Sequence, residues 1–137
     1  MTIKTRKPLH FQYVREPVTI GDHIKNRRLD LKLLQKQVAE IIGVTTASIV
    51  NWELNHKVPD IIYLPKIIEF LGFVPFGKTD KTLGERIITC RKILGLSQEK
   101  LAQQLKVDWT TLRRWERNKS RPSAKHIQRI DDFLQQS

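Results

Sequence analysis

The sequence predicts an all-α protein of two tandem domains, each with about four short helices. Three observations lead there. The chain repeats at a spacing of 63 positions. Residues 19–71 align with 82–134 without a gap, and the identities include Gly21/Gly84, Ile24/Ile87, Arg28/Arg91, Gln35/Gln98, Ala39/Ala102, Trp52/Trp115, Glu53/Glu116 and Asn55/Asn118. Inside each copy apolar residues recur three and four positions apart, the period of a helix buried on one side. No alternating run long enough for a strand competes; Phe11-Gln12-Tyr13-Val14 alternates but stops there. Two copies are too few for a solenoid, so the repeat reads as two like domains. The division that follows is a basic N-terminal arm over 1–18, a first domain over 19–72, a linker over 73–81 and a second domain over 82–137. Gly72, Pro75 and Gly77 mark the linker.

Each element has its own signals. Thr19 stands as N-cap before Ile20, Ile24, Arg27 or Arg28, and Leu31, and Thr82 takes its place in the second copy. The second helix runs over 35–42 and 98–105. Ser97 suits its N-cap, but Lys100 three residues on leaves only half a capping box. Gly43 closes this helix in the first copy, where the second has Lys106. Thr45 and Asp108 are expected to cap a third helix over 46–54 and 109–117. Asn55 and Asn118 follow it, and Asn tolerates the left-handed conformation that ends a helix. Pro59 and Pro122 prevent continuation. The last helix covers 61–71 with Leu64, Ile67, Ile68 and Leu71 inward, and 124–134 with Ile127, Ile130, Phe133 and Leu134 inward.

Composition narrows the function. Lys and Arg number 25 against 14 Asp and Glu, a formal net charge of +11, so a polyanionic partner is expected, nucleic acid first. The excess is uneven. Residues 19–72 carry seven basic and six acidic side chains, whereas 82–135 carry twelve and six. Arg113, Arg114, Arg117, Lys119 and Arg121 fall within nine positions, at one predicted helix and its exit. A hydrophobic share of 39% allows a packed core, and no stretch reads as a membrane span or a secretory leader. Cys90, the single cysteine, excludes an internal disulfide and a cysteine metal site and points to a reducing cytoplasm. His10, His23, His56 and His126 lack metal-ligand spacing and are expected at the surface, so no metal and no cofactor is expected. No nucleophile-and-base set, phosphate-cradling glycine loop or paired carboxylate argues for an enzyme.

Within each copy the second and third helices form a helix-turn-helix. Leu34-Gln35-Lys36-Gln37-Val38-Ala39 leads through Gly43-Val44-Thr45 to Thr46-Ala47-Ser48-Ile49. Ser97-Gln98-Glu99-Lys100-Leu101-Ala102 leads through Lys106-Val107-Asp108 to Trp109-Thr110-Thr111-Leu112. Ala39 and Ala102 are small where the two helices cross. The string LGLSQEKLAQQLKVDWTTLRRWERNKSRPS, 94–123, resembles the phage lambda-repressor-like (Cro or XRE-type) helix-turn-helix family. The first copy is a looser match, with Leu34 where that family usually has Ser or Thr, and neither copy is followed by the fifth helix many members use to dimerise.

The resemblance implies that the third helix reads double-stranded DNA in the major groove. Its base-facing positions fall on Thr46, Ala47 and Asn51, and on Trp109, Thr110 and Arg114, with Val50 and Arg113 flanking. Phosphate contacts would come from Gln35, Asn55 and His56, and from Gln98, Arg117, Asn118, Lys119 and Arg121. Arg28 with Glu53, and Arg91 with Glu116, match the family's ion pair between the first and third helices. Trp52 and Trp115 suit the core; Trp109 suits either base contact or packing; Cys90 suits a half-buried place. The implied function is a sequence-specific transcriptional regulator in a prokaryotic cytoplasm, monomeric or homodimeric. The alternative is an interaction module, antitoxin-like or accessory to a recombinase, whose first domain binds a protein while only the second binds DNA. Fully extended, residues 72–81 would reach about 33–36 Å. Adjacent half-sites lie about 34 Å apart.

Overall fold

The computed structural model describes residues 12–134, with the Leu134 side chain outside the description. Most of the basic arm, with Lys4, Arg6, Lys7, His10 and Phe11, lies outside the described residues. Among those described, all regular structure is helical: α1 (Ile20–Asp30), α2 (Gln35–Ile42), α3 (Thr46–Glu53), α4 (Leu64–Leu71), α5 (Leu83–Leu94), α6 (Gln98–Leu105), α7 (Trp109–Glu116) and α8 (Ala124–Leu134). The contacts divide the chain into two units, one ending at Pro59 and one beginning at Asp60. Sequence likeness pairs α4 with α8, yet by contact α4 belongs to the second unit, where it packs on α5.

The first unit is a three-helix bundle around Ile24, Val38, Ala39, Ile42, Ile49 and Trp52, all buried. The second repeats that core as Ile87, Leu101, Ala102, Leu105, Leu112 and Trp115, closed by Ile130 from α8. Both tryptophans are therefore core residues, and Cys90 is fully buried.

Helix ends follow the capping signals with two exceptions. Thr19 Oγ1 accepts the Asp22 N–H at 3.0 Å, and Asp22 Oδ2 accepts the Thr19 N–H at 3.2 Å. Thr82 and Glu85 form the same reciprocal box. Thr45 caps α3 by accepting from the Ser48 N–H. The first exception is Asp108, which holds the N-cap position of α7 but makes no side-chain cap bond. The second is Lys106, which closes α6 at φ 59°, the left-handed conformation that Gly43 adopts at φ 89°. A lysine there carries the steric cost of its Cβ.

Asn55 and Asn118 also take positive φ and turn their amides back to the start of the first helix of their unit. Asn55 donates to Asp22 Oδ1 at 3.0 Å; Asn118 accepts the Gly84 N–H and donates to Thr82 Oγ1. This closeness explains the glycine pair: a Cβ on Gly21 would overlap the Trp52 carbonyl, and one on Gly84 the Glu116 carbonyl.

Three expectations about packing need correction. Leu31 lies past the end of α1 and is exposed, so it does not extend the buried face. The fourth helix of the first copy begins as a 3-10 turn over Ile61–Tyr63, and Phe70 rather than half-buried Ile68 points inward. In α8, Ile127 is exposed; His126 instead sets its ring on Trp115, with centroids 5.3 Å apart, and bonds Ser123 through Nδ1.

Segments expected to be arm and linker are partly bound. Val14 exchanges two hydrogen bonds with the Asn26 side chain, at 2.7 and 2.8 Å, and the Val18 N–H donates to Asp22. Burial first, and then the charge and hydrogen bond of Asp30, raise the Tyr13 phenol. Asp22, Asn26 and Asp30 are four residues apart and share one face of α1, so residues 13–18 form a strap along it. In the second unit Gly77 lies against Thr89, the partner of Asn26 in the repeat, and the Lys92 ammonium sits 5.7 Å over the Phe76 ring. Residues 76 and 77 of the expected linker thus lie on α5, where Phe76 is half-buried.

Two outcomes follow. Lys106→Gly should raise unfolding stability by about 0.5–1 kcal/mol in urea titration, relief of the Cβ clash outweighing the extra backbone entropy. For Asp22, burial is the largest single influence and pushes its carboxyl up, but hydrogen bonds from Asn55, the Val18 and Thr19 backbone and the Thr19 side chain together hold it below the usual range. A lowered folded pKa gives stability that is present above the ordinary carboxylate pKa and lost as pH falls through the lowered one. Asp22→Asn should therefore be less stable than the parent at neutral pH, with the gap closing below about pH 4. Thermal melts across that range measure it.

Candidate nucleic-acid interface

The aim of the third helix in each unit is set by a buried ionic clamp. Arg28 Nε meets Glu53 Oε2 at 2.7 Å and its Nη2 meets Oε1 at 2.9 Å, while Nη1 donates to the Leu33 carbonyl. Arg91 binds Glu116 in the same fork, at 2.8 and 3.3 Å, and caps the Leu96 carbonyl. Each carboxylate takes a further bond from the first residue of the second helix, Gln35 at 3.2 Å and Gln98 at 2.8 Å. Both glutamates are buried. Three helices therefore converge on one carboxylate in each copy, and Gln35 and Gln98 each give one amide N–H to it.

With Leu112, Trp115 and Glu116 inward, α7 turns Thr110, Arg113, Arg114 and Arg117 outward. Together with Lys119 they line an open cavity of about 520 Å³ that has no acidic side chain. The α-helix brings these cations together at spacings of three and four residues. Trp109 at the start of α7 is 43% exposed, and the Arg113 guanidinium lies 5.9 Å from its ring centre. This cation–π contact holds one arginine against an aromatic face. Arg121 is exposed beyond the helix.

The matching face of α3 is different. Thr46 and Ala47 are exposed and Val50 and Asn51 half-buried, with no charge among them. His56 is exposed just past the helix. Asn55 and Asn118, expected near phosphates, have their side chains engaged with the first helix of their units.

Two features escaped the sequence reading. One is Asn26, whose pairing with Val14 has no motif of its own. The other is the exposure of Leu54 and Val58, aliphatic where the second copy has Arg117 and Arg121, which a position-by-position comparison of the copies would have exposed. No group of three or more His, Cys, Asp or Glu suited to a metal occurs among the described residues, and no described helix is long and apolar enough to cross a membrane.

A family described as helix-turn-helix matches the chain twice, over residues 24–78 and 87–137, which together make up most of its length. No curated protein and no solved structure matches it.

Removal of one carboxylate tests the clamp. Glu116→Ala should cost about 3 kcal/mol in chemical denaturation, because Arg91 is left buried without a counter-charge. An unchanged unfolding midpoint would show that the pair is not structural.

Proposed function

The chain belongs to the DNA-binding helix-turn-helix family of Cro/C1 type, and we propose that it is a transcriptional regulator that reads the sequence of double-stranded DNA. In this reading α7 enters a major groove with Thr110, Arg113 and Arg114 on base edges and Trp109 beside them. Arginine can bond guanine O6 and N7 with two donors, and Thr can meet a thymine methyl. Arg117, Lys119 and Arg121 hold phosphates and set the register. Thr46, Ala47 and Asn51 of α3 read a second, unlike half-site, Asn51 pairing with adenine and Ala47 touching a methyl. Gln98 and Gln35 act by positioning α7 and α3 through Glu116 and Glu53. The observation that carries the reading is the acid-free cavity of Thr110, Arg113, Arg114, Arg117 and Lys119 on the outer face of α7.

A second reading keeps DNA for the second copy alone and gives the first to a protein. It is favoured by one observation: α3 offers no charged side chain on its outer face.

Selection of sites from random DNA, followed by footprinting, tests both. Arg113→Ala with Arg114→Ala should weaken specific binding about 10–100-fold, as loss of bidentate base contacts implies. Comparable losses from Thr46→Val and Asn51→Ala, with two protected major-groove segments, indicate dual reading. Silence of the α3 substitutions and one short footprint indicate the second reading. Indifference to every duplex at modest salt would end both.

A further inference from the structure

Trp109 and Arg113 form a pair that the first copy lacks. Trp109 begins α7 and presents 43% of its surface to water, with the Arg113 guanidinium 5.9 Å from its ring centre. Four residues apart, the two share one side of the helix. Thr46 and Val50 stand at these places in the first copy and can form no such pair. The two partners face different surroundings. Arg113 borders the acid-free cavity with Thr110, Arg114, Arg117 and Lys119. Trp109 borders an open hollow of about 350 Å³ that is also lined by Glu99 and Asp108. Two carboxylates beside the indole disfavour a phosphate there, so the ring suits a neutral group such as a base edge.

We propose that Trp109 and Arg113 together read a pyrimidine–guanine step, with Trp109 recognising a methyl group on C5 of the pyrimidine, as in thymine or 5-methylcytosine. This rests on the reading of α7 as a base-contacting helix and adds the group that its aromatic residue takes. Arginine meets guanine O6 and N7 with two parallel donors, which sets the guanidinium in the plane of that base. Its flat faces then look along the DNA axis to the neighbouring base pair, about 3.4 Å away. The pyrimidine on the 5′ side of the guanine points its C5 substituent into the major groove at that level. A ring 5.9 Å from the guanidinium reaches the same base pair or the adjacent one. The methyl thus lies against guanidinium and indole together. Both are flat, and neither needs a hydrogen bond from it. Uracil and cytosine present only a C–H at this place and bury less apolar surface. The cation–π contact also holds Arg113 beside the ring before DNA arrives, so less side-chain freedom is lost on binding. The reading belongs to α7 alone and does not depend on whether α3 contacts DNA.

Fluorescence anisotropy of the full chain on its selected duplex tests this. The duplex is made with thymine, uracil, 5-methylcytosine or cytosine before the guanine that Arg113→Ala ceases to distinguish from adenine. Thymine over uracil, or 5-methylcytosine over cytosine, should bind about fourfold more tightly, the worth of one buried carbon. An effect in one pair alone identifies the base that carries the methyl. Trp109→Ala should erase this ratio and keep the preference for guanine, and Trp109→Phe should keep part of the ratio. Trp109 is exposed, so both variants should retain the parent far-ultraviolet circular dichroism. Indifference to the methyl in both pairs overturns the proposal, as does a selected site without a pyrimidine–guanine step. A ratio that survives Trp109→Ala and disappears in Thr110→Ser also overturns it, by assigning the methyl to Thr110. So does loss of the guanine preference together with the ratio in Trp109→Ala, which would leave Trp109 only holding Arg113 in place. A chain that binds no duplex ends the regulator reading itself, whereas a chain that selects a site and ignores the methyl ends this proposal alone.

Discussion

One buried carboxylate per copy organises the molecule. Glu53 and Glu116 each gather an arginine from the first helix and a glutamine from the second, while the arginine also caps the loop between those helices. A desolvated charge is tolerated only when its partners are in place, so the three helices have little freedom to rotate against one another. The outward face of the third helix is therefore set by a contact on its opposite side. The same arrangement appears twice with matching donors, which makes it a property of the repeat and not of either copy.

A second constraint acts at the helix ends. The start of the first helix abuts the end of the third so closely that only glycine fits at positions 21 and 84. The asparagine that ends the third helix closes this junction with its amide. The asparagine makes these bonds while remaining exposed. The straps before α1 and α5 extend the junction further, and they give segments that look like arm and linker a fixed place on their helices.

On these shared scaffolds the two outer surfaces diverge. Leu112, Trp115 and Glu116 repeat Ile49, Trp52 and Glu53, because the core tolerates little change of volume. Outward positions carry no such limit, and there Thr46, Ala47, Val50 and Asn51 correspond to Trp109, Thr110, Arg113 and Arg114. Duplication has kept the framework and released the surface, which is why the copies can be given separate tasks. Their outward chemistry also differs at the exit of the third helix, where Leu54 and Val58 answer to Arg117 and Arg121.

The amino-acid sequence by itself determined the helical class, the number of copies, the cap residues Thr19, Thr82, Thr45 and Ser97, and the burial of Trp52 and Trp115. These follow from periodicity and from hydrogen bonds a few residues long, which neighbours along the chain control. Only the tertiary structure decided that Gln35 and Gln98 bond the buried glutamates, that exposed Asn55 and Asn118 bond the start of the first helix, that Asp108 leaves its cap bond unmade, and that His126 covers Trp115 while Ile127 faces water. It alone showed 13–18 and 76–77 lying on their helices. Each of these depends on which groups distant in sequence arrive within about 3 Å to compete for a donor or a surface, and side-chain type does not encode that competition.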